Sequence, residues 1–359
     1  MSFLAFLLVV PAIMAASVDK EEVTARTGHS LINITSLSAR SASVDRNGLS
    51  VEACCNEEHL LHCTEITVDP DILLSGEDIN ILGYDLVFDF TVEPHGFVYH
   101  NSLGDEAVIT YNNKTGNMFG TLQTHDDKSY AIEKCHHGHL IKEFDLTSFE
   151  DFEIGDELTE GSSSDYVLET QEDRVEDTTT IVTYSVMFYY TQAFEDGTPN
   201  IDEFLDQVIS VANAGYKNSQ IPIRAQKFCS EKATIDEIDG NGPMLRAFWK
   251  MKDDDGSTTN LRNSADIAFL LTNARGHGHS GAAYYPWSYR KVGFCLKSRA
   301  IEDFTFAHEI GHTMGAAHNR EQDINPKHPE GQGHLIDQVR FPLIQMVDNK
   351  EEIFQPFSC

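Results

Sequence analysis

From residue 17 to about residue 160, apolar and polar positions alternate in short runs. The clearest are Ile81–Phe90, Ala107–Tyr111, Met118–Leu122 and Tyr130–Ile132, with Gly, Asn and Asp between them. A period of two broken by turn residues predicts an antiparallel β unit. The texture changes after residue 180. Thr180–Tyr190 is β-branched and aromatic, which predicts a buried strand. Ile201, Phe204, Leu205, Val208, Ile209, Ala212 and Tyr216 then recur at helical spacing. They predict a helix from Asn200 to about Asn218, opened by Asn200 and Glu203 in the manner of a capping box. Ile221–Phe228 reads as a second strand, and Pro222 places it near an edge or a strand start. Pro243–Lys252 reads as a short helix and Asp266–Thr272 as a central strand. This βαβαβ order implies a mixed sheet with helices packed on it.

Between the two textures lies GDELTEGSSSDYVLETQEDRVEDTT, residues 155–179. It has too few apolar residues to support a core and should be exposed to proteases. We therefore divide the chain into a first unit over 17–160, an exposed linker over 161–179 and a second unit over 180–359. Arg174 is the single basic residue of the linker and the expected cleavage point.

Charge adds to this division. The 359 residues carry a formal net charge of -31. Ser17 to Arg174 holds 32 acidic against 9 basic residues, −23 of that total, and the rest holds −8. So acidic a chain argues against nucleic acid as a partner, because phosphates are repelled. Residues 1–16, MSFLAFLLVVPAIMAA, are apolar, too short for a confident span, and end in small residues. They read as a secretory signal peptide, with cleavage after Ala16 or Ser17. No later stretch is apolar and long enough to span a membrane, so a secreted, extracellular protein is expected. In that setting Asn33-Ile34-Thr35 and Asn113-Lys114-Thr115 are glycosylation acceptors. Disulfides persist there too, although seven cysteines cannot all pair within one chain.

The chemistry concentrates in His308-Glu309-Ile310-Gly311-His312-Thr313-Met314-Gly315-Ala316-Ala317-His318. Four residues separate His308 from His312, so on a helix they lie one turn apart on the same face. Two imidazoles so placed can hold one Zn²⁺. Glu309 sits within reach of a water on such an ion. Gly315 can adopt the left-handed conformation that ends a helix, swinging His318 back as third ligand. Three protein ligands leave a fourth position open, the arrangement of a catalytic site. The helix is expected from about Glu302 to Ala316, with Glu302 and Asp303 favourable in its first turn.

This stretch resembles the zinc site of the metzincin metalloproteases. Further features are similar to their reprolysin (adamalysin, ADAM-like, M12B) branch. The resemblance implies an α/β (α+β) catalytic domain over 180–359, with a mixed twisted sheet and a zinc-site helix, preceded by a mainly β propeptide domain. It implies a secreted zinc endopeptidase made as a zymogen, with Glu309 as general base and His308, His312 and His318 on the metal. Substrates would be proteins or peptides, the propeptide an intramolecular inhibitor, and the enzyme a monomer. Met346 resembles the methionine that packs beneath the zinc. Ala282, Ala283 and Tyr284 resemble the edge strand that a substrate joins. By the same resemblance Cys295 pairs with Cys359, leaving Cys229 unpaired. Asn319 departs from the Asp usual after the third ligand in reprolysins.

Other readings remain open at this level. Cys135, in Lys134-Cys135-His136-His137-Gly138-His139, is one candidate for an inhibitory zinc-binding thiol. Cys54, Cys55 and Cys63 are others, and all four could instead pair among themselves. The nearby histidines, and His277 and His279, read better as solvated loop residues than as ligands. The competing functional reading is a secreted binding or toxin-like protein with a structural or vestigial zinc site.

Overall fold

The computed structural model of the chain describes residues 29–34, 54–55, 60–126, 128–135, 138–144, 157–158, 181–254, 265–273, 281–284, 291–302 and 304–314. Two sheets organise them.

The first sheet has ten strands. In chain order these are β1 (His29–Ser30), β2 (Ile32–Ile34), β3 (Leu60–Val68), β4 (Ile79–Ile81), β5 (Tyr84–Val92), β6 (Gly96–His100), β7 (Glu106–Asn112), β8 (Asn117–Gln123), β9 (Ser129–Lys134) and β10 (His139–Phe144). Helix α1 (Pro70–Ser75) follows β3. From β4 to β10 the sheet is an antiparallel meander, and β10 turns back onto β3. The alternation in sequence becomes two buried faces. Ile109, Met118, Leu122 and Ile132 pack with Leu73, Ile79 and Ile81 on one side. Val98, Val108, Phe119 and Ala131 point the other way, toward the second sheet.

The second sheet runs in the order β11-β15-β16-β14-β12-β13. Its strands are β11 (Glu157–Leu158), β12 (Val182–Tyr190), β13 (Ile223–Lys232), β14 (Ile267–Thr272), β15 (Gly281–Tyr284) and β16 (Val292–Leu296). β12, β13, β14 and β16 are mutually parallel, and β15 is antiparallel to β16. β14 is buried along its whole length, as expected of a parallel strand covered on both faces. β13 forms the outer edge that Pro222 led us to expect. The helices are α2 (Gln192–Gly197), α3 (Ile201–Asn218), α4 (Asn241–Asp254), α5 (Lys297–Glu302) and α6 (Thr305–Met314). α3, α5 and α6 bury Phe204, Val208, Ile301, Phe306 and Ile310 against one face of the sheet, with Phe188 and Phe269. α4 covers the opposite face with Leu245 and Phe248, beside Tyr189, Leu270 and Tyr284.

Helix α3 lies between the two sheets. Its apolar stripe faces the second sheet as the spacing predicted. Its other side, Gln207, Ser210, Val211 and Ala214, is also buried. The first sheet covers it. Val98 and Val108 pack on Val211 and Ala214. Thr110 Oγ1 donates to Gln207 Oε1 at 2.8 Å, and Gln207 Nε2 donates to the Val108 carbonyl at 2.8 Å. The approach is so close at β6 that a Cβ on Gly96 would lie 2.9 Å from Ser210 Cβ. The capping box does not form. Asn200 makes no side-chain cap bond. Asn117 Nδ2 instead donates to Asn200 Oδ1 at 3.2 Å and to Glu203 Oε1 at 3.3 Å, so contacts between the sheets displace the local one.

A charged cluster lies at the same junction. Glu133 Oε2 accepts from Lys142 Nζ at 2.7 Å and from Lys297 Nζ at 3.0 Å, and Lys297 also donates to the Gly197 carbonyl at 3.2 Å. The Lys142 and Lys297 side chains are 0% and 2% exposed. Among the described residues no helix is long and apolar enough to cross a membrane.

Candidate active site

Helix α6 carries the central part of the motif. It begins later than the sequence reading placed it. Glu302 ends α5, and Phe304 takes a positive φ of 59° that breaks the two helices apart. No acidic residue stands in the first turn of α6, and His308 N–H opens the helix by donating to the Phe304 carbonyl at 2.9 Å. The expected dipole contribution from Glu302 and Asp303 therefore does not apply.

Packing sets the helix rotation. Phe306 and Ile310 are buried in the core, and the Phe306 ring lies edge-on to Phe269 with centroids 4.8 Å apart. Two residues further along a helix is a rotation of about 200°, so His308 and His312 face away from that core. Their rings stand at 88° with centroids 4.6 Å apart, and the two Nε2 atoms are 3.0 Å apart. His312 is 2% exposed.

Glu309 is 1% exposed and faces the sheet at β15. A Cβ on Gly281 would lie 2.8 Å from Glu309 Oε1, 2.8 Å from the Phe294 carbonyl and 2.9 Å from Thr305 Cγ2. Glycine is what lets the carboxylate sit against the strand. The Gly281 carbonyl in turn accepts from Asn241 Nδ2, a buried side chain at the start of α4, at 2.6 Å. Asn241 was not legible as a site residue, because its partner is 40 residues away and is a backbone atom.

The donor set can be tested against a metal from this geometry. Two imidazole nitrogens on one tetrahedral zinc stand about 3.3 Å apart, from zinc–nitrogen bonds of about 2.0–2.1 Å. The observed 3.0 Å suits a shared ion after a small side-chain adjustment. Among the described residues no group of three or more His, Cys, Asp or Glu is arranged to hold a metal. The expected third ligand, His318, lies outside the described residues, as do Gly315, Asn319, Met346 and Cys359.

Ala282, Ala283 and Tyr284 are fully buried in β15, which pairs with β16 on one side. The expectation of an open edge needs correction. The outer side of β15 pairs in parallel with β11, Glu157 opposite Ala283 and Leu158 opposite Tyr284. Strand edges carry unsatisfied N–H and C=O groups, and here Glu157 and Leu158, at the end of the first unit, lie along them.

The cysteines also differ from expectation. Cys54 bonds to Cys135 and Cys55 to Cys63. Cys135 therefore has no thiol with which to hold a zinc ion, and the same applies to the three other candidates. Cys229 is disulfide-bonded, to a partner outside the described residues. Cys295, expected in the bridge to Cys359, is instead a thiol completely buried in β16. Among the nearby histidines, His139 is a buried strand residue rather than a loop residue. Its Nε2 accepts the Met118 N–H at 3.0 Å. Burial, and then Lys134 nearby, push its pKa down to about 4, so it is neutral and committed to the sheet. His136, His137, His277 and His279 lie outside the described residues. Asn113 sits exposed in the turn between β7 and β8, and Asn33 lies in β2.

Residues 180–335 match the family model Reprolysin_5, described as Metallo-peptidase family M12. The match covers less than half of the chain, and it makes the second unit similar to metallopeptidases. Among solved structures, metalloproteinase-II from Bacteroides fragilis aligns at 14% identity and a TM-score of 0.42, over 67% of this chain and 80% of that one. A chaperone–substrate complex aligns at 12% identity and a TM-score of 0.36, over 74% of this chain and 56% of that one. No curated protein matches the chain.

Proposed function

We propose that the chain is a secreted zinc-dependent endopeptidase of the reprolysin-like type, made as a zymogen and active as a monomer. The observation that carries this is the α6 geometry. His308 and His312 converge with Nε2 atoms 3.0 Å apart, and Glu309, from the same helix, is buried against Gly281. The M12 match over the same segment supports it.

His308 and His312, with His318, would hold one Zn²⁺ as neutral imidazoles. Bound there, the ion would supply Lewis-acid polarisation of the scissile carbonyl and acidify a water for attack. Glu309 accepts the proton of the attacking water and delivers it to the leaving amine. Gly281 and Asn241 hold the strand against which that carboxylate rests. Met346 would pack beneath the metal. Signal-peptide removal at residue 16 or 17, glycosylation at Asn33 and Asn113, and linker cleavage after Arg174 belong to the same reading, with the first unit as propeptide.

A structural or vestigial site would have no use for Glu309. Casein digestion by the linker-cleaved protein separates the two readings. Digestion abolished by 1,10-phenanthroline and restored by added Zn²⁺ is the expected result. A protein that binds Zn²⁺ and never cuts casein or a peptide library would leave the binding-protein reading standing.

A further inference from the structure

Two features of the interface have separate consequences. One is where the first unit is attached. Its packing is on α3 and α5, through Val98 and Val108 on Val211 and Ala214, and through Phe119, Ala131 and Phe144, which belong to the core cluster of the second unit. Glu133 sits between Lys142 of the first unit and Lys297 of α5. These groups are buried only while the two units are together. Separation would expose core side chains and leave Lys297 without its carboxylate, and breaking a buried ion pair is strongly unfavourable.

The other feature is what lies on the catalytic side. His308, Glu309 and His312 belong to α6, which packs on β15 and β16. Among the described residues, the segment that pairs with the outer side of β15 is β11, two residues long and parallel to it. An added substrate strand would need the same outward N–H and C=O groups of β15. A pairing this short has little stability of its own.

From these two features, and resting on the peptidase reading above, we infer that residues 60–144 are a standing subunit of the catalytic unit, retained non-covalently after the linker is cut. Latency then rests on β11, which pairs along β15, and not on the packing of residues 60–144. Cutting between residues 161 and 179 frees one end of β11. It becomes a tethered competitor for β15 that substrate can displace, while the first unit stays on α3 and α5.

The test uses the full chain with a site-specific protease sequence placed within residues 161–179. After cutting, the two fragments should elute together on gel filtration without denaturant and separate only when denatured. Leu158→Pro, which removes a backbone donor from β11, should raise amide exchange at Ala283 and Tyr284 while β9 and α3 stay protected. In a quenched-fluorescence peptide assay the same variant should lower KM several-fold with kcat unchanged. Fragments that part on the native column would overturn the retained subunit. Unchanged exchange at Ala283 and Tyr284 in Leu158→Pro would overturn the role of β11. Co-elution and faster exchange without peptide hydrolysis in any form would leave the inference standing and sink the peptidase reading instead.

Discussion

Gly281→Ala is the substitution that most sharply probes how the site is built. The added Cβ would meet three atoms, each closer than 3.0 Å: Glu309 Oε1, the Phe294 carbonyl and Thr305 Cγ2. The Phe294 carbonyl is backbone of β16, so it cannot swing aside. Glu309 Oε1 ends a flexible side chain and can. Relief therefore comes mostly from the carboxylate, which must retreat by several tenths of an ångström or more, and partly from a shift of β15 against α6. Overpacking of this kind costs about 1–3 kcal/mol of stability. The catalytic cost should be larger in relative terms, because a misplacement of about 1 Å can cost roughly 100-fold in rate. The assay is steady-state cleavage of a quenched peptide by the linker-cut protein, with zinc content and circular dichroism on the same samples. The expected result is full zinc occupancy, a near-native spectrum and kcat lower by one to two orders of magnitude. Wild-type kcat in a folded Gly281→Ala protein would refute the placement of Glu309 against β15.

Other outcomes follow from the same structure. Glu133→Gln removes the carboxylate that faces both Lys142 and Lys297, and should cost about 3–5 kcal/mol in urea unfolding. A loss below 1 kcal/mol would show that the cluster is not held by charge. The pKa of His139 is depressed to about 4 in the folded chain, against about 6.5 when unfolded. The unfolded chain binds the extra proton, so stability is intact above pH 6.5 and falls as pH drops toward 4, by about 3 kcal/mol in all. His139→Gln should flatten that part of the pH–Tm curve, and an unchanged slope would contradict it. Cys135→Ser opens a bridge between positions 81 apart, worth about 4.5 kcal/mol by loop closure. It should destabilise the protein and leave latency unchanged, whereas a cysteine switch would instead produce activation.

How far the sequence could be read depended on the range of the interactions involved. The β8 and β9 strands, the α3 stripe and the buried β14 were legible because each is specified by its own period. His308, Glu309 and His312 were legible because a single helical turn brings them together. What escaped was set by residues far apart in the chain. Asn200 and Glu203 look like a local cap, yet Asn117, from the other sheet, takes both. The polar side of α3 looks solvated, but Gln207 finds its partners in β7, about 100 residues earlier. Ala282 to Tyr284 read as an open edge, since nothing local reveals that Glu157 and Leu158 return to cover it. Cysteine pairing was out of reach for the same reason. The start of α6 was missed because the positive φ of Phe304 is imposed by packing rather than by residue type.

The most direct test of the central claim compares the linker-cut protein with its Glu309→Gln variant, measuring zinc per chain by mass spectrometry and peptide cleavage on the same preparations. The α6 geometry predicts one zinc per chain in both, with cleavage falling by at least about 100-fold in the variant, as for loss of a general base. Equal cleavage by the two proteins, or no zinc in either, would contradict it.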